Sequence, residues 1–364
     1  VNISIPRERR PFEYRVGMAP KGLGLLTRHG HTCYVEHDAG LGSGFSDEEY
    51  QKAGARIVYS AEETFLRGDV ILKVLRPTDE EIEWLHKGQI LVGFLMLPSA
   101  HRSKIVTLLE KRVTAVSYEL IEEKDGELPV MKPLSQIGGR MCAQVAACLL
   151  ENRADGKGIL LGGVPGVPPA EVVIIGAGVV GTEAIRAFLG MGASVYVLDH
   201  SLRHLQRVEE MFGGRVVTMV AHPFNVAQVC TFVDVLVSCV RLPAKRAPIV
   251  VTREMVRQMR PRSLIIDVSI DEGGSVETSR PTRHDQPTFV EEGVIHYCVP
   301  NMPGVVARTS THAYLNAAWP YIQAMAAEGV EAAMARDPVL AKGVTIHGGK
   351  ILDPRLAKQF KASK

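Results

Sequence analysis

The chain has no CxxC pair, no unbroken apolar run long enough to cross a bilayer, no internal repeat and almost no net charge. Each absence removes a class of protein. Its six cysteines (Cys33, Cys142, Cys148, Cys230, Cys239 and Cys298) are scattered, so free thiols in a reducing compartment are expected rather than a structural zinc site or a thioredoxin-like motif. The most apolar stretch, Gly158 to Gly181, is interrupted by Pro165, Pro168, Pro169 and Glu171, which is incompatible with a spanning helix. A formal charge of +2 gives no reason to expect nucleic acid or an acidic membrane as partner. No carboxylate or histidine cluster has the spacing of metal ligands, and the opening VNISIPRERR carries no signal-peptide pattern. These readings predict a soluble, cytoplasmic protein without a metal site.

What is present is a sustained alternation of strand-like and helix-like segments. The 364 residues are 46% hydrophobic and 23% charged, and at roughly 100–200 residues per domain they suggest two domains. Val70–Val74, Ile90–Leu97 and Val113–Ser117 read as strands, with helices such as Gly22–Thr27 and Ser103–Lys111 around them. A long helical pattern, Leu134–Ala154, leads through a Gly/Pro-rich loop, Gly162–Pro169, into a second series of strands: Val172–Ile175, Ser194–Leu198, Arg215–Met219, Val233–Cys239, Ser263–Val268 and Val294–Cys298. The tail from Thr311 to Arg336 is helical. Such alternation implies α/β architecture, with parallel strands covered by helices. One domain ends near Lys132 and the next near Pro303; the pattern leaves open which of them the closing helix joins.

The sharpest local signal is Gly176-Ala177-Gly178-Val179-Val180-Gly181. A GxGxxG alone is weak, but this one ends the apolar strand Val172–Ile175 and opens a helix with Ile185, Phe188 and Leu189 on one face. The next strand then ends in Asp199, completing the βαβ context of a dinucleotide site. Gly176 permits the tight turn, Gly178 lets the backbone approach a diphosphate, and Gly181 lets helix and strand pack closely. The amides at the helix start face the phosphates. Asp199 can accept from the ribose hydroxyls and repels a 2′-phosphate, so NAD is expected as cofactor rather than NADP, a preference moderated by nearby Arg203.

Motifs along nearly the whole chain then resemble the alanine dehydrogenase family, which is related to the first domain of proton-translocating transhydrogenase and to saccharopine dehydrogenase. They are Pro6-Arg7-Glu8, Glu13-Tyr14-Arg15-Val16-Gly17-Met18-Ala19-Pro20, Gly162-Gly163-Val164-Pro165-Gly166-Val167, Asp267–Gly274, Ser279-Arg280-Pro281-Thr282, Asn301-Met302-Pro303 and Thr309-Ser310-Thr311. The resemblance implies two Rossmann-like, doubly wound parallel-sheet domains with an active-site cleft between them. It implies a substrate domain formed by 1–132 and 306–364, an inserted NAD-binding domain at 133–305, and a homo-oligomer, hexamer or dimer. It further implies that Arg15 holds the carboxylate of a small-molecule substrate, that Asp271 is catalytic, that Ser135 contacts a cofactor phosphate, and that Val240 and Asn301 lie near the nicotinamide, with Val179 in the phosphate loop.

Two positions depart from the family pattern. Leu75 stands where the family has a substrate-binding lysine, in Leu72-Lys73-Val74-Leu75-Arg76-Pro77, and Met96 stands where it has the catalytic histidine. Neither side chain transfers a proton at neutral pH or donates a strong hydrogen bond. His101, Arg76 and Lys73 are near enough in sequence for one of them to supply the missing chemistry. The expectation is an NAD-dependent oxidoreductase of alanine dehydrogenase type, acting on a small amino, imino or keto acid but not a standard alanine dehydrogenase. Its alternatives are a catalytically silent NAD-binding protein with a regulatory or structural role, and an enzyme that uses bound NAD internally for elimination or epimerisation.

Overall fold

The computed structural model describes residues 1–241 and 246–362. The chain divides into two compact units, Val1–Leu134 with Gly304–Lys364, and Ser135–Pro303; positions 363 and 364 of the first lie outside the described residues. The closing helix, Ala307–Glu328, is therefore part of the first unit. No described helix is long and apolar enough to cross a membrane.

The first unit holds β1 (Asn2–Ile5), β2 (Thr32–Glu36), β3 (Arg56–Val58), β4 (Val70–Leu75), β5 (Ile90–Phe94) and β6 (Thr114–Ser117). The second holds β7 (Glu171–Ile175), β8 (Ser194–Asp199), β9 (Val217–Val220), β10 (Val235–Ser238), β11 (Leu264–Asp267), β12 (Thr288–Glu291) and β13 (Val294–Tyr297); β14 (Val344–His347) and β15 (Lys350–Ile351) return to the first. The sheets run β15-β14-β6-β5-β4-β1-β2-β3 and β12-β13-β11-β10-β7-β8-β9. Both are parallel-dominated, as expected, and three edge pairings, β14 with β6, β15 with β14 and β12 with β13, are antiparallel. Edges are where short hairpins can join a sheet without a crossover helix.

The interior strands are apolar on both faces, because helices cover both. Val172, Val173, Ile174 and Ile175 of β7 are all 0–1% exposed, and a fully buried Val or Ile side chain contributes roughly 1.5–3 kcal/mol. In the first unit Ile71, Leu91, Leu108, Val113 and Ile346 form one cluster. In the second, Val173, Leu198, Val229, Leu236 and Ile265 form another.

Three elements differ from the sequence reading. The strand from Ile90 stops at Phe94, not Leu97, because Met96 turns the chain with φ 44° and Leu97–Ser99 is a short 3₁₀ turn. The helix expected to run to Ala154 is Lys132–Leu149, closed by a 3₁₀ turn ending at Asp155 with φ 56°. The tail is two helices, Ala307–Glu328 and Val330–Arg336, parted at Gly329, whose φ of 82° suits glycine.

Among the parallel strands of each sheet the order reverses once. The reversal lies between β1 and β4 in the first unit and between β7 and β10 in the second. Open α/β sheets bind ligands at such points, beyond the carboxyl ends of the strands.

Candidate functional site

In the second unit every residue singled out in the sequence, Ser135 apart, sits at or just beyond a strand's carboxyl end. Gly176 follows β7, Asp199 ends β8, Val240 follows β10, Asp271 follows β11 and Asn301 follows β13. Ser135 lies on helix Lys132–Leu149, one turn before Gly139 on the same face. A Cβ at Gly139 would be 2.3 Å from the Val180 carbonyl, so this helix lies hard against the start of helix Val179–Gly190.

The glycines separate by task. Gly176 has φ 104°, and a Cβ there would sit 2.8 Å from the Cys239 carbonyl; at Gly181 it would be 1.8 Å from the Gly176 carbonyl. Both positions are closed by protein. Gly178 is different: a Cβ there would meet nothing within 4 Å. It caps helix Val179–Gly190 with φ −74° and faces solvent, leaving the first amides of the helix approachable by an anion.

Asp199 is buried, and its carboxylate ties the loop together. Oδ2 accepts from the Ala177 amide at 2.7 Å and Oδ1 from the Ser201 amide at 2.8 Å. Nδ1 of His204 and of His200 stand 3.3 and 3.4 Å from Oδ1. Burial would raise its pKa, but the two amides and His204 hold it below the ordinary carboxylate value. A carboxylate offers about four lone-pair sites, so hydroxyl donors can still be received. At the end of β11 the buried Ser269 hydroxyl has no hydrogen-bond partner among the described residues. Open space at Gly178, an ionised acid at the next strand end and an unsatisfied hydroxyl fit an adenine dinucleotide.

Asp271 accepts from the Asn301 amide at 3.2 and 3.4 Å, an amide presented by the left-handed conformation of Asn301, φ 52°. Solvent reaches the Asp271 side chain, yet protein crowds it. Desolvation raises its pKa to about 6, opposed by the Asn301 amide and reinforced by Glu272. Crowding rather than surface contact sets the shift, since a carboxylate needs a full hydration shell to keep its ordinary acidity.

In the first unit Arg15 is 2% exposed. Its Nε and Nη2 donate to Glu13 Oε1 and Oε2 at 2.7 and 2.6 Å, and its amide donates to Glu13 Oε1. Burial opposes the charge, but Glu13 more than compensates, and the guanidinium stays ionised. The loop that carries it is stitched to helix Ala307–Glu328: Tyr314 donates to the Val16 carbonyl at 2.5 Å, and Thr311 meets the Val16 amide and Ser43. Gly17 is required because a Cβ would be 2.0 Å from the Leu72 carbonyl of β4.

Leu75 ends β4 and Met96 turns the chain after β5, as two uncharged groups. Met96 is held in its left-handed conformation by Glu119, whose Oε1 and Oε2 accept from the Met96 and Leu95 amides at 2.7 and 3.2 Å. Desolvation raises the Glu119 pKa to about 7, against these amides and Ser117. Because the folded-state pKa lies above the unfolded one, this contribution to stability is complete below the ordinary value of 4.5 and is lost as pH rises through 7. The shift corresponds to about 3 kcal/mol. Urea titrations at pH 5 and pH 8.5 should show that loss, and Glu119→Gln should flatten it; an unaltered slope in the variant would remove Glu119 as its source.

The neighbours weighed as replacements for the missing proton chemistry separate clearly. Lys73 is 1% exposed and locked between Glu81 at 2.9 Å and Glu8 at 3.3 Å, so it is not available. His101 is exposed and bonds Ser103. Arg76 reaches Met96 and Ser99. Sequence reading missed Glu119 and Glu13, which act through the residues they hold. It did not anticipate His37, Asp38 and Asp47, whose ligand atoms lie within 4.8 Å; His37 is hydrogen-bonded to Asp47 at 2.5 Å, the distance of an ion pair.

The family profile described as "Alanine dehydrogenase/PNT, N-terminal domain" matches residues 4–138, and "Alanine dehydrogenase/PNT, C-terminal domain" matches 142–354. The second match runs on into the segment that packs with the first unit. A protein named alanine dehydrogenase from Methanococcus maripaludis is 45% identical over 98% of this chain and 95% of its own length. A solved structure of an L-alanine dehydrogenase is 40% identical, with a TM-score of 0.96 and full coverage of both chains. The transhydrogenase structure from Sinorhizobium meliloti is 26% identical with a TM-score of 0.81, over 97% of this chain and 99% of that one.

Proposed function

The chain belongs to the alanine dehydrogenase/PNT family, and from that premise we propose that it is an NAD-dependent oxidoreductase acting on a small amino, imino or keto acid, but not a standard alanine dehydrogenase. The observation that carries the reading is the open approach at Gly178, beside closed Gly176 and Gly181, with ionised Asp199 at the next strand end. Gly176, Gly178, Val179, Gly181 and Asp199 would hold the dinucleotide, with Ser135, Val240 and Asn301 completing its surroundings. When bound, NAD supplies the hydride acceptor or donor.

The protein's own residues do the rest. Arg15, oriented by Glu13, receives the substrate carboxylate in the geometry that a planar guanidinium favours. Asp271, with a pKa of about 6, is mostly ionised at neutral pH and acts as the base. Leu75 and Met96 line an apolar stretch where the family pattern places a lysine and a histidine, so activity with alanine or pyruvate is low. The substrate domain is the unit containing both chain ends, and the oligomer is a hexamer or dimer of identical chains in the cytoplasm.

The test is NADH formation and consumption over a panel of amino acids, keto acids and amines, alongside calorimetry of NAD binding. The double variant Leu75→Lys, Met96→His is expected to gain at least about tenfold in pyruvate amination, a modest part of what a positioned acid–base group provides. A folded, NAD-binding double variant that stays inert would count against the assignment of these two positions. A second reading, a silent NAD-binding protein, draws support from the locked state of Lys73; binding without turnover across the panel would select it.

A further inference from the structure

The turn after β4 gathers more positive charge than the proposed chemistry uses. Leu75 is uncharged, but the next residue, Arg76, is half-buried and donates Nη1 to Ser99 Oγ at 2.6 Å and to the Met96 carbonyl at 3.4 Å. Arg10, on the loop after β1, donates Nε to the Arg76 carbonyl at 3.1 Å and Nη2 to the Pro77 carbonyl at 3.4 Å. Lys104 donates to the same Pro77 carbonyl at 3.2 Å and pairs with Asp79 at 2.9 Å. Two cations, Arg10 and Lys104, thus converge on the carbonyls of Arg76 and Pro77, beside the Arg76 guanidinium. The acid among them, Asp79, is 87% exposed and already engaged by Lys104.

Arg9 and Arg15 of this unit, also shielded, have carboxylates to hand. Arg9 pairs with Glu36 and Glu81, and Arg15 with Glu13. For Arg76, burial and the neighbouring Arg10 both act against the charge, and no carboxylate acts for it. Two guanidiniums in partly dry surroundings repel each other unless an anion joins them. The arrangement stands at the reversal between β1 and β4, beside Leu75 and Met96, where a ligand is expected to meet the sheet.

We propose that Arg76, backed by Arg10, binds a second carboxylate of the substrate, so that the chain acts on dicarboxylic amino or 2-oxo acids. The methylene spacer of such a substrate lies against Leu75 and Met96, and its far carboxylate meets the guanidinium fork. Relative to the family pattern, the cation has moved one residue along the chain and now serves the distal group. This rests on the proposed function only in placing the substrate beside Leu75 and Met96.

The experiment compares 2-oxoglutarate with 2-oxobutyrate, by calorimetry on the full chain with NADH and by NADH oxidation with ammonium. 2-Oxoglutarate should bind at least about tenfold more tightly, the usual worth of a charge-assisted pair. Arg76→Met should bring the ratio of the two affinities close to one, and Arg76→Lys should restore part of it. Should Arg76→Met fail to fold by circular dichroism, Arg10→Gln gives the same readout. Equal affinity for the two acids, an unchanged ratio in the variants, or Arg76-dependent binding of sulfate alone overturns the proposal. Arg76-dependent binding without turnover supports it while removing the oxidoreductase reading. Turnover of monocarboxylic acids without Arg76-dependent selectivity does the reverse.

Discussion

Asp271→Asn should lower kcat by about 10²–10⁴-fold on whichever substrate of the panel is turned over fastest, the usual loss when a positioned base is removed. Affinity for NAD should not change, because Asp271 is not among the groups assigned to the dinucleotide. Asparagine keeps the shape and one oxygen able to accept from the Asn301 amide, so the turn survives; only the ability to take up a proton is lost. The pH profile makes the assignment specific. With a pKa of about 6, the wild-type kcat/KM should rise with pH and level off above 6, and that limb should vanish in the variant. Stability should respond in the opposite sense. A carboxyl whose folded-state pKa is raised favours the folded state most below its ordinary value, and that contribution disappears as pH rises through 6. A profile whose acid limb persists in Asp271→Asn would assign the base elsewhere.

Gly178→Val should weaken NAD binding by at least about 100-fold, or about 2.7 kcal/mol, with little change in folding. The two halves of this expectation come from different features of one residue. Its φ of −74° and ψ of −161° suit valine, and its Cβ would touch no protein atom, so the fold bears only a poorer helix cap, at most about 1 kcal/mol. The same empty space is where the diphosphate must come, and two methyl groups would fill it. Gly181→Val is the contrasting control. Its Cβ would lie 1.8 Å from the Gly176 carbonyl, so it should lose thermal stability as well as binding. Calorimetry and melting curves on the pair separate the effects, and normal NAD affinity in a folded Gly178→Val protein would place the dinucleotide elsewhere.

What could be read in advance was local. The strand, the spaced glycines, the apolar helix face and the acid at Asp199 lie within 29 residues of one another, and each has its own backbone or packing reason. Short helices were harder. Asp79–Trp84 has only 6 residues, too few for a periodic pattern, although Thr78 and Glu81 form a capping box that marks its start. The hairpin joining β14 and β15 turns on Gly348 and Gly349, a signal present in the sequence but overshadowed by the helical tail before it.

The supporting shell of the site was not legible, for a physical reason. Glu119 reaches the Met96 amide across 23 positions, and Tyr314 reaches Val16 across 298. Such pairs are set by which strands lie side by side, and no local periodicity records them. Lys73 illustrates the cost. In sequence it is a cation beside the missing lysine; in the fold it is bound to Glu8 and Glu81 and shut off from water. Arg76 moved the other way, from one of three nearby candidates for the missing chemistry to a charge without a carboxylate of its own.

The first unit's sheet is completed by residues synthesised long after its other strands. β6 ends at Ser117, and its antiparallel neighbour β14 begins at Val344. On a ribosome adding ~5–20 residues each second, the intervening stretch of about 230 residues takes on the order of 10–45 s to emerge. For that interval the nascent chain carries a bare strand edge, the kind of template on which chains stick to one another. The second unit, continuous in sequence, can fold meanwhile. Yield in cells should therefore depend on how well the emerging amino-terminal part is sheltered until its partner strand arrives.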